Sequence, residues 1–195
     1  MCRLGVNGFD AAYAYGWYEG RLRELIHLFK YGGISSLAGP LGAMTMIAYP
    51  RDERFDLIVP MPMHWWRRWR RGFNQAELLA RTVGRRTALP VVNAVRRCRW
   101  TAPQASLTNA ERRRNVAGAF AVTSPEQIRG ARVLLVDDVL TTGATVGACA
   151  AALKRAGAAR VSVLALARTD RRHAAAPPGG AAAGQLITEG ATGCA

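Results

Sequence analysis

Apolar positions recur along this chain with two alternating periods. In GRLRELIHLFKYGG, residues 20–33, Leu22, Leu25, Ile26 and Phe29 fall at i, i+3, i+4 and i+7, the stripe of an amphipathic helix that Gly32 and Gly33 can end. A second helix is expected from Ser36, provided Pro40 lies in its first turn. DLIVP, residues 56–60, reads as a short buried strand. FNQAELLARTVGRR, residues 73–86, reads as a helix opened by Asn74 with Glu77 three positions on, the spacing of a capping box. After a long polar stretch, RVLLVDDV is a continuous apolar strand, ATVGACAAALKRAG a helix closed by Gly157, and RVSVLALA another strand. Such alternation predicts an α/β fold: a parallel sheet flanked by helices, with residues 56–60, 133–137 and 161–166 as parallel strands of one sheet. Beyond Arg168 the run HAAAPPGGAAAGQ lacks the apolar surface to offset its ordering entropy, so residues 171–195 are expected as a disordered tail.

Composition adds size and sign. A chain of 195 residues that is 50% hydrophobic can bury one sizeable core, and at this length one domain is expected. With 27 Lys and Arg against 13 Asp and Glu, the formal charge of +14 favours anionic partners such as phosphorylated metabolites, nucleic acid or an acidic membrane surface. Nearly all of that charge is arginine, the lysines being Lys30 and Lys154, a bias that a GC-rich coding sequence also produces. Cys2, Cys98, Cys149 and Cys194 form no CxxC pair, which argues against a zinc ribbon or dithiol site built from neighbours and for a reduced, cytoplasmic protein. Neither a membrane-spanning run nor the apolar core of a signal peptide is present, so no membrane association is expected.

The chemistry concentrates in VLLVDDVLTTGAT, residues 133–145. In an open parallel sheet this stretch lies where a strand end turns into a helix, the position at which such sheets bind ligands. TTGAT offers successive backbone N–H groups and threonine hydroxyls at the positive end of a helix dipole, with Gly143 permitting close approach. Asp137 and Asp138 would repel a second phosphate but accept hydrogen bonds from sugar hydroxyls or hold a divalent cation. A phosphate on one side and a diol on the other describe a ribose 5-phosphate. No lysine follows a glycine as in a Walker A loop, and no GxGxxG opens a helix after a strand.

VLLVDDVLTTGAT resembles the phosphoribosyl pyrophosphate (PRPP) signature of type I phosphoribosyltransferases. Together with DLIVPMPMH (56–64), RRGFNQAELLAR (70–81) and PQASLTNAERRRNVAGAF (103–120), in that order, it resembles the ComF family over roughly residues 15–168. Relatives usually carry an N-terminal zinc ribbon of paired cysteines, of which Cys2 is at most a remnant. The resemblance implies a type I phosphoribosyltransferase-like sheet with residues 1–50 as a small N-terminal hood and 51–170 as the core. It implies Asp137 and Asp138 as the catalytic acids at the ribose hydroxyls, holding Mg²⁺ directly or through the ligand, and Thr141, Thr142, Gly143, Ala144 and Thr145 at the 5-phosphate.

VPMPMH falls where type I enzymes grip pyrophosphate, which places Pro62, Met63 and His64 there; rigid turn formation explains the prolines equally well. Arg71, Arg112 and Arg113 are further candidates for pyrophosphate, the last two within a polar segment long enough to act as a lid, although a solvated helix turn after Asn109 explains those two almost as well. Arg67, Arg68 and Arg70 interleave with Trp65, Trp66 and Trp69, a mixture that suits phosphates and unstacked bases, although a solvated basic face with inward-packed tryptophans explains it too. Three functions follow. One is transfer of phosphoribosyl from PRPP to an unidentified nitrogen acceptor. Another is a competence or DNA-uptake accessory that binds single-stranded DNA and uses the fold for binding or sensing. A partner-docking protein that does neither is the third, and a homodimer is one expected assembly.

Overall fold

The computed structural model describes residues 8–63, 69, 71–98 and 118–169. Four parallel strands form the sheet: β1 (Ala11–Trp17), β2 (Leu57–Pro60), β5 (Arg132–Leu140) and β6 (Arg160–Arg168), in the order β1-β6-β5-β2. Register pairs Val133 with both Leu57 and Val161, so the three expected strands are parallel neighbours with β5 in the middle. β1 has no periodic signal in the sequence. It pairs Ala11 with Ser162 through Trp17 with Arg168, so the segment expected as hood contributes an edge strand to the sheet.

The helices follow the apolar stripes. α1 (Gly20–Tyr31) buries Ile26 and Phe29, and α2 (Ala38–Ile47), preceded by a 3₁₀ turn at Ser35–Leu37, keeps Pro40 in its first turn. α3 (Gln75–Thr87) is capped by Asn74, whose side-chain oxygen accepts from the Ala76 N–H at 3.2 Å, while Glu77 pairs with Arg81 at 2.8 Å. The cap therefore forms with the second helical amide, and Glu77 is engaged along the helix. An antiparallel pair, β3 (Val95–Arg97) with β4 (Phe120–Val122), and a short α4 (Pro125–Ile128) follow. β4 includes the last residue of the stretch expected as a lid. α5 (Ala144–Arg155) ends before Gly157, whose φ of 97° takes the chain out of the helix.

Strand pleating divides the core. Val133 and Leu135 of β5 join Cys149, Ala150 and Leu153 of α5 and Phe120 of β4 in one cluster. Leu134 and Val136 join Ile26 and Phe29 of α1, Leu41 of α2 and Leu79 and Val83 of α3 in the other. A central strand buried on both faces has to be apolar at every position, which is why RVLLV shows no alternation. No described helix is long and apolar enough to cross a membrane.

Candidate functional site at the carboxyl ends of the central strands

The apolar run of β5 ends in Asp137 and Asp138, and the same pleat that splits the core separates their surroundings. Asp138, the even-numbered residue, meets α1: its Oδ1 lies 2.8 Å from Lys30 Nζ, with side-chain exposures of 13% and 16%. Asp137 is on the α5 side, where its charge raises the pKa of the buried Cys149 thiol beyond what burial does alone. Its Oδ1 accepts the Asp138 backbone N–H at 2.8 Å. Burial raises the Asp137 carboxyl well above the usual carboxylate range, and the neighbouring Asp138 charge adds to that, while Lys30, the Asp138 N–H and Arg97 act in the opposite sense. The two acids thus share one strand end and one counter-charge, Lys30 of α1, which pairs with Asp138 and also acts on Asp137, where Arg97 of β3 adds to it.

Immediately beyond, Thr141 and Thr142 are exposed and Gly143 turns the chain with φ 73° and ψ −7°, a left-handed conformation that costs a residue with a Cβ. Thr142 Oγ1 accepts from the Ala144 N–H at 3.4 Å, and the helical ladder starts with the Gly147 N–H donating to Gly143 O at 2.7 Å. The amides of Thr145 and Val146 therefore lie ahead of the ladder, at the positive end of a helix of 12 residues. Thr141, Thr142, Gly143, Ala144 and Thr145 form one continuous turn next to the acids.

The loop after β2 lies alongside. The Met61 N–H donates to Val136 O at 2.8 Å, which brings Pro62 and Met63 beside the strand end carrying Asp137. From α3, Asn74 Nδ2 donates to Met61 O at 3.0 Å. Arg71 reaches Gln75 Oε1 at 3.4 Å and Tyr31 Oη at 3.2 Å, with its guanidinium 4.8 Å from the centre of the Tyr31 ring. Of the residues read as nucleic-acid or pyrophosphate contacts, His64, Trp65, Trp66, Arg67, Arg68, Arg70, Arg112 and Arg113 lie outside the described residues. Trp69 is described, and it is largely exposed.

Several residues at this site carry no sequence signal of their own. Lys30 was visible as one of two lysines in an arginine-rich chain, yet nothing local says that it turns toward an acid on the central strand. Gln75 is fully buried and donates to Phe29 O at 3.3 Å, holding the end of α1 against the start of α3. Arg97 bears on Asp137 from the β3–β4 pair. Among the described residues no three metal-ligating side chains converge. The hard carboxylate oxygens of Asp137 and Asp138 are the donors here that could hold a divalent cation such as Mg²⁺.

Residues 69–185 match the phosphoribosyl transferase domain family. The chain is 33% identical to Competence protein F of Haemophilus influenzae over 175 residues, covering 86% of this chain and 76% of that protein. It is 38% identical to the DNA utilization protein YhgH of Escherichia coli K12 over 159 residues, covering 78% and 69%. Among solved structures, the glutamine PRPP amidotransferase of B. subtilis is similar with a TM-score of 0.48 and 20% identity, covering 70% of this chain and 30% of that enzyme. A parallel sheet with β5 at its centre, an acid pair closing that strand and two extended likenesses to competence and DNA-utilization proteins converge on one assignment: the chain belongs to the ComF family of type I phosphoribosyltransferase-like proteins.

Proposed function

We propose that the chain binds PRPP or a ribose 5-phosphate across the carboxyl ends of β2 and β5, and that with PRPP it transfers the phosphoribosyl group to a nitrogen nucleophile. The observation that carries this reading is the sequence of groups at one strand end: two acids, then a glycine turn that opens a helix of 12 residues. The 5-phosphate takes the amides and hydroxyls of residues 141–145, where the helix dipole and N–H groups favour an anion. The ribose hydroxyls donate to the carboxylates of Asp137 and Asp138. Pyrophosphate lies toward Pro62, Met63 and Arg71, with His64, Arg112 and Arg113 as further contacts. In the reaction the bond from C1 to the pyrophosphate oxygen breaks, its electron pair leaving with pyrophosphate, and the lone pair of the acceptor nitrogen forms the new bond. Mg²⁺, held by the acids directly or through the ligand, would neutralise the leaving group's charge. The acids contribute negative charge beside a ring that becomes positive in the transition state.

Isothermal calorimetry tests the reading. Asp137→Asn with Asp138→Asn should weaken PRPP binding at least about tenfold, the scale of one lost hydrogen bond to a charged group, and leave the melting transition cooperative. Unchanged affinity would remove both acids from the proposed roles.

A second reading, handling of single-stranded DNA, has its own support: the relatives bear competence and DNA-utilization names, and the chain has a formal charge of +14. Arg67, Arg68 and Arg70 with Trp65 and Trp66 are its proposed contacts. Both readings suit a reducing cytoplasm, in which Cys98 and Cys149 stay as thiols.

A further inference from the structure

Three consecutive residues at the end of α1 meet two walls of the site, Phe29 and Tyr31 the segment of residues 71–75 and Lys30 the end of β5. Phe29 packs against Phe73 at 5.6 Å between ring centres, and its carbonyl accepts from Gln75 Nε2. Lys30 reaches Asp138, and Tyr31 lies under Arg71. Phe29 is fully buried, so the α1 backbone at this point is fixed by packing before Lys30 makes its contact. Lys30 is therefore presented to Asp138 by a helix that belongs to neither the strand nor the phosphate turn.

From this geometry we infer that Lys30 is the positioning residue for the ribose diol: from the hood side it holds the Asp138 carboxylate in the orientation that accepts a sugar hydroxyl. The inference rests on the ribose 5-phosphate reading above and names a residue that reading does not contain. A carboxylate offers about four lone-pair directions over two oxygens, so one ammonium contact leaves acceptor capacity for hydroxyls. Asp137 and Asp138 stand on opposite faces of β5, and a cation on the α1 side favours the rotamer that keeps the Asp138 carboxylate there. Lys30 supplies that cation at 2.8 Å, with both side chains largely shielded from water. The turn of residues 141–145, by contrast, is held by the bonds from the Ala144 N–H to Thr142 Oγ1 and from the Gly147 N–H to Gly143 O, neither of which involves Lys30. Removing Lys30 should therefore affect recognition of the sugar and spare recognition of the phosphate.

The test is calorimetry with two probes, ribose 5-phosphate and inorganic phosphate, on wild type, Lys30→Met and Lys30→Arg. In wild type, ribose 5-phosphate should bind more tightly than phosphate. In Lys30→Met that advantage should shrink by about tenfold, the scale of one charge-assisted hydrogen bond, while the phosphate affinity stays within about twofold. Lys30→Arg, which keeps the charge on a bulkier planar fork, should restore part of the advantage. A Lys30→Met protein that keeps the full preference overturns the inference and leaves the ribose 5-phosphate reading standing. A variant that loses both affinities equally also overturns it, since Lys30 would then support the site as a whole. Wild type that prefers neither probe brings down both the reading and the inference. A measurement free of substitutions runs beside these. In hydrogen exchange on wild type, ribose 5-phosphate should slow the amides of residues 28–31 and inorganic phosphate should not; equal effects count against Lys30.

Discussion

Asn74 joins two parts of the site, and its removal has a magnitude that can be worked from its bonds. Its side-chain oxygen caps α3 through the Ala76 N–H, and its side-chain nitrogen satisfies Met61 O at 3.0 Å from a residue that is 7% exposed. Asn74→Ala loses a cap, about 1 kcal/mol, and leaves the Met61 carbonyl without that donor in a buried setting, about 1–3 kcal/mol. Together these give about 2–4 kcal/mol, or a melting temperature lower by roughly 4–16 °C for a domain of this size. Asn74→Ser retains a capping oxygen but cannot reach Met61, so it should fall between Ala and wild type. Urea denaturation with an unchanged slope, together with thermal melts, provides the measurement. Because Met61 leads into Pro62 and Met63, PRPP affinity should drop further than ribose 5-phosphate affinity. An Asn74→Ala protein within about 0.5 kcal/mol of wild type would refute the reasoning, because surface substitutions without structural consequence fall in that range. A serine variant equal to wild type would show that the Met61 bond contributes nothing.

Gly143→Ala should destabilise by about 1–2 kcal/mol, because φ 73° crowds a Cβ, and should weaken inorganic phosphate binding measured by calorimetry. At Gly84 an added Cβ would lie 2.6 Å from Val91 Cγ2 and 2.9 Å from Leu89 O, so Gly84→Ala should cost about 1–3 kcal/mol in urea denaturation without changing ligand affinity. The Arg132 guanidinium and backbone N–H hold the Asp56 carboxyl down at about 2. A folded pKa below the unfolded value gives stability that is present above about pH 4 and lost as pH falls toward 2. The destabilisation by Asp56→Asn should therefore shrink across that window, and it should stay small at neutral pH because the pair is solvent-exposed. For the DNA reading, fluorescence anisotropy should give single-strand affinity that falls steeply with salt and falls again when Arg67, Arg68, Arg70 and Arg71 become Ala; indifference to both would exclude that surface.

How far the sequence spoke for itself depends on whether each feature is local. The apolar run RVLLV, the glycine at 143, the Asn74 cap and the stripe of Leu22, Leu25, Ile26 and Phe29 are local patterns, since burial on both faces, a left-handed turn and helical period each constrain residues within a few positions of one another. Those patterns are enough for the parallel sheet and for an acid pair at the end of its middle strand. β1 carries no such pattern because four of the seven residues of AAYAYGW are alanine or glycine, and it becomes a strand through its pairing with β6, about 150 residues further along the chain. The β3–β4 pair has three residues on each side, too few to show a period before they meet. The contact of Lys30 with Asp138 and that of Arg71 with Tyr31 belong to the same class. A charged residue near a helix end reads as solvated in any linear view, and its partner is chosen when packing of Phe29 and Gln75 sets where that helix end lies. The chemistry of the strand end is thus written in thirteen consecutive residues, while the counter-charges and walls around it come from distant segments that only the folded core brings within bonding distance.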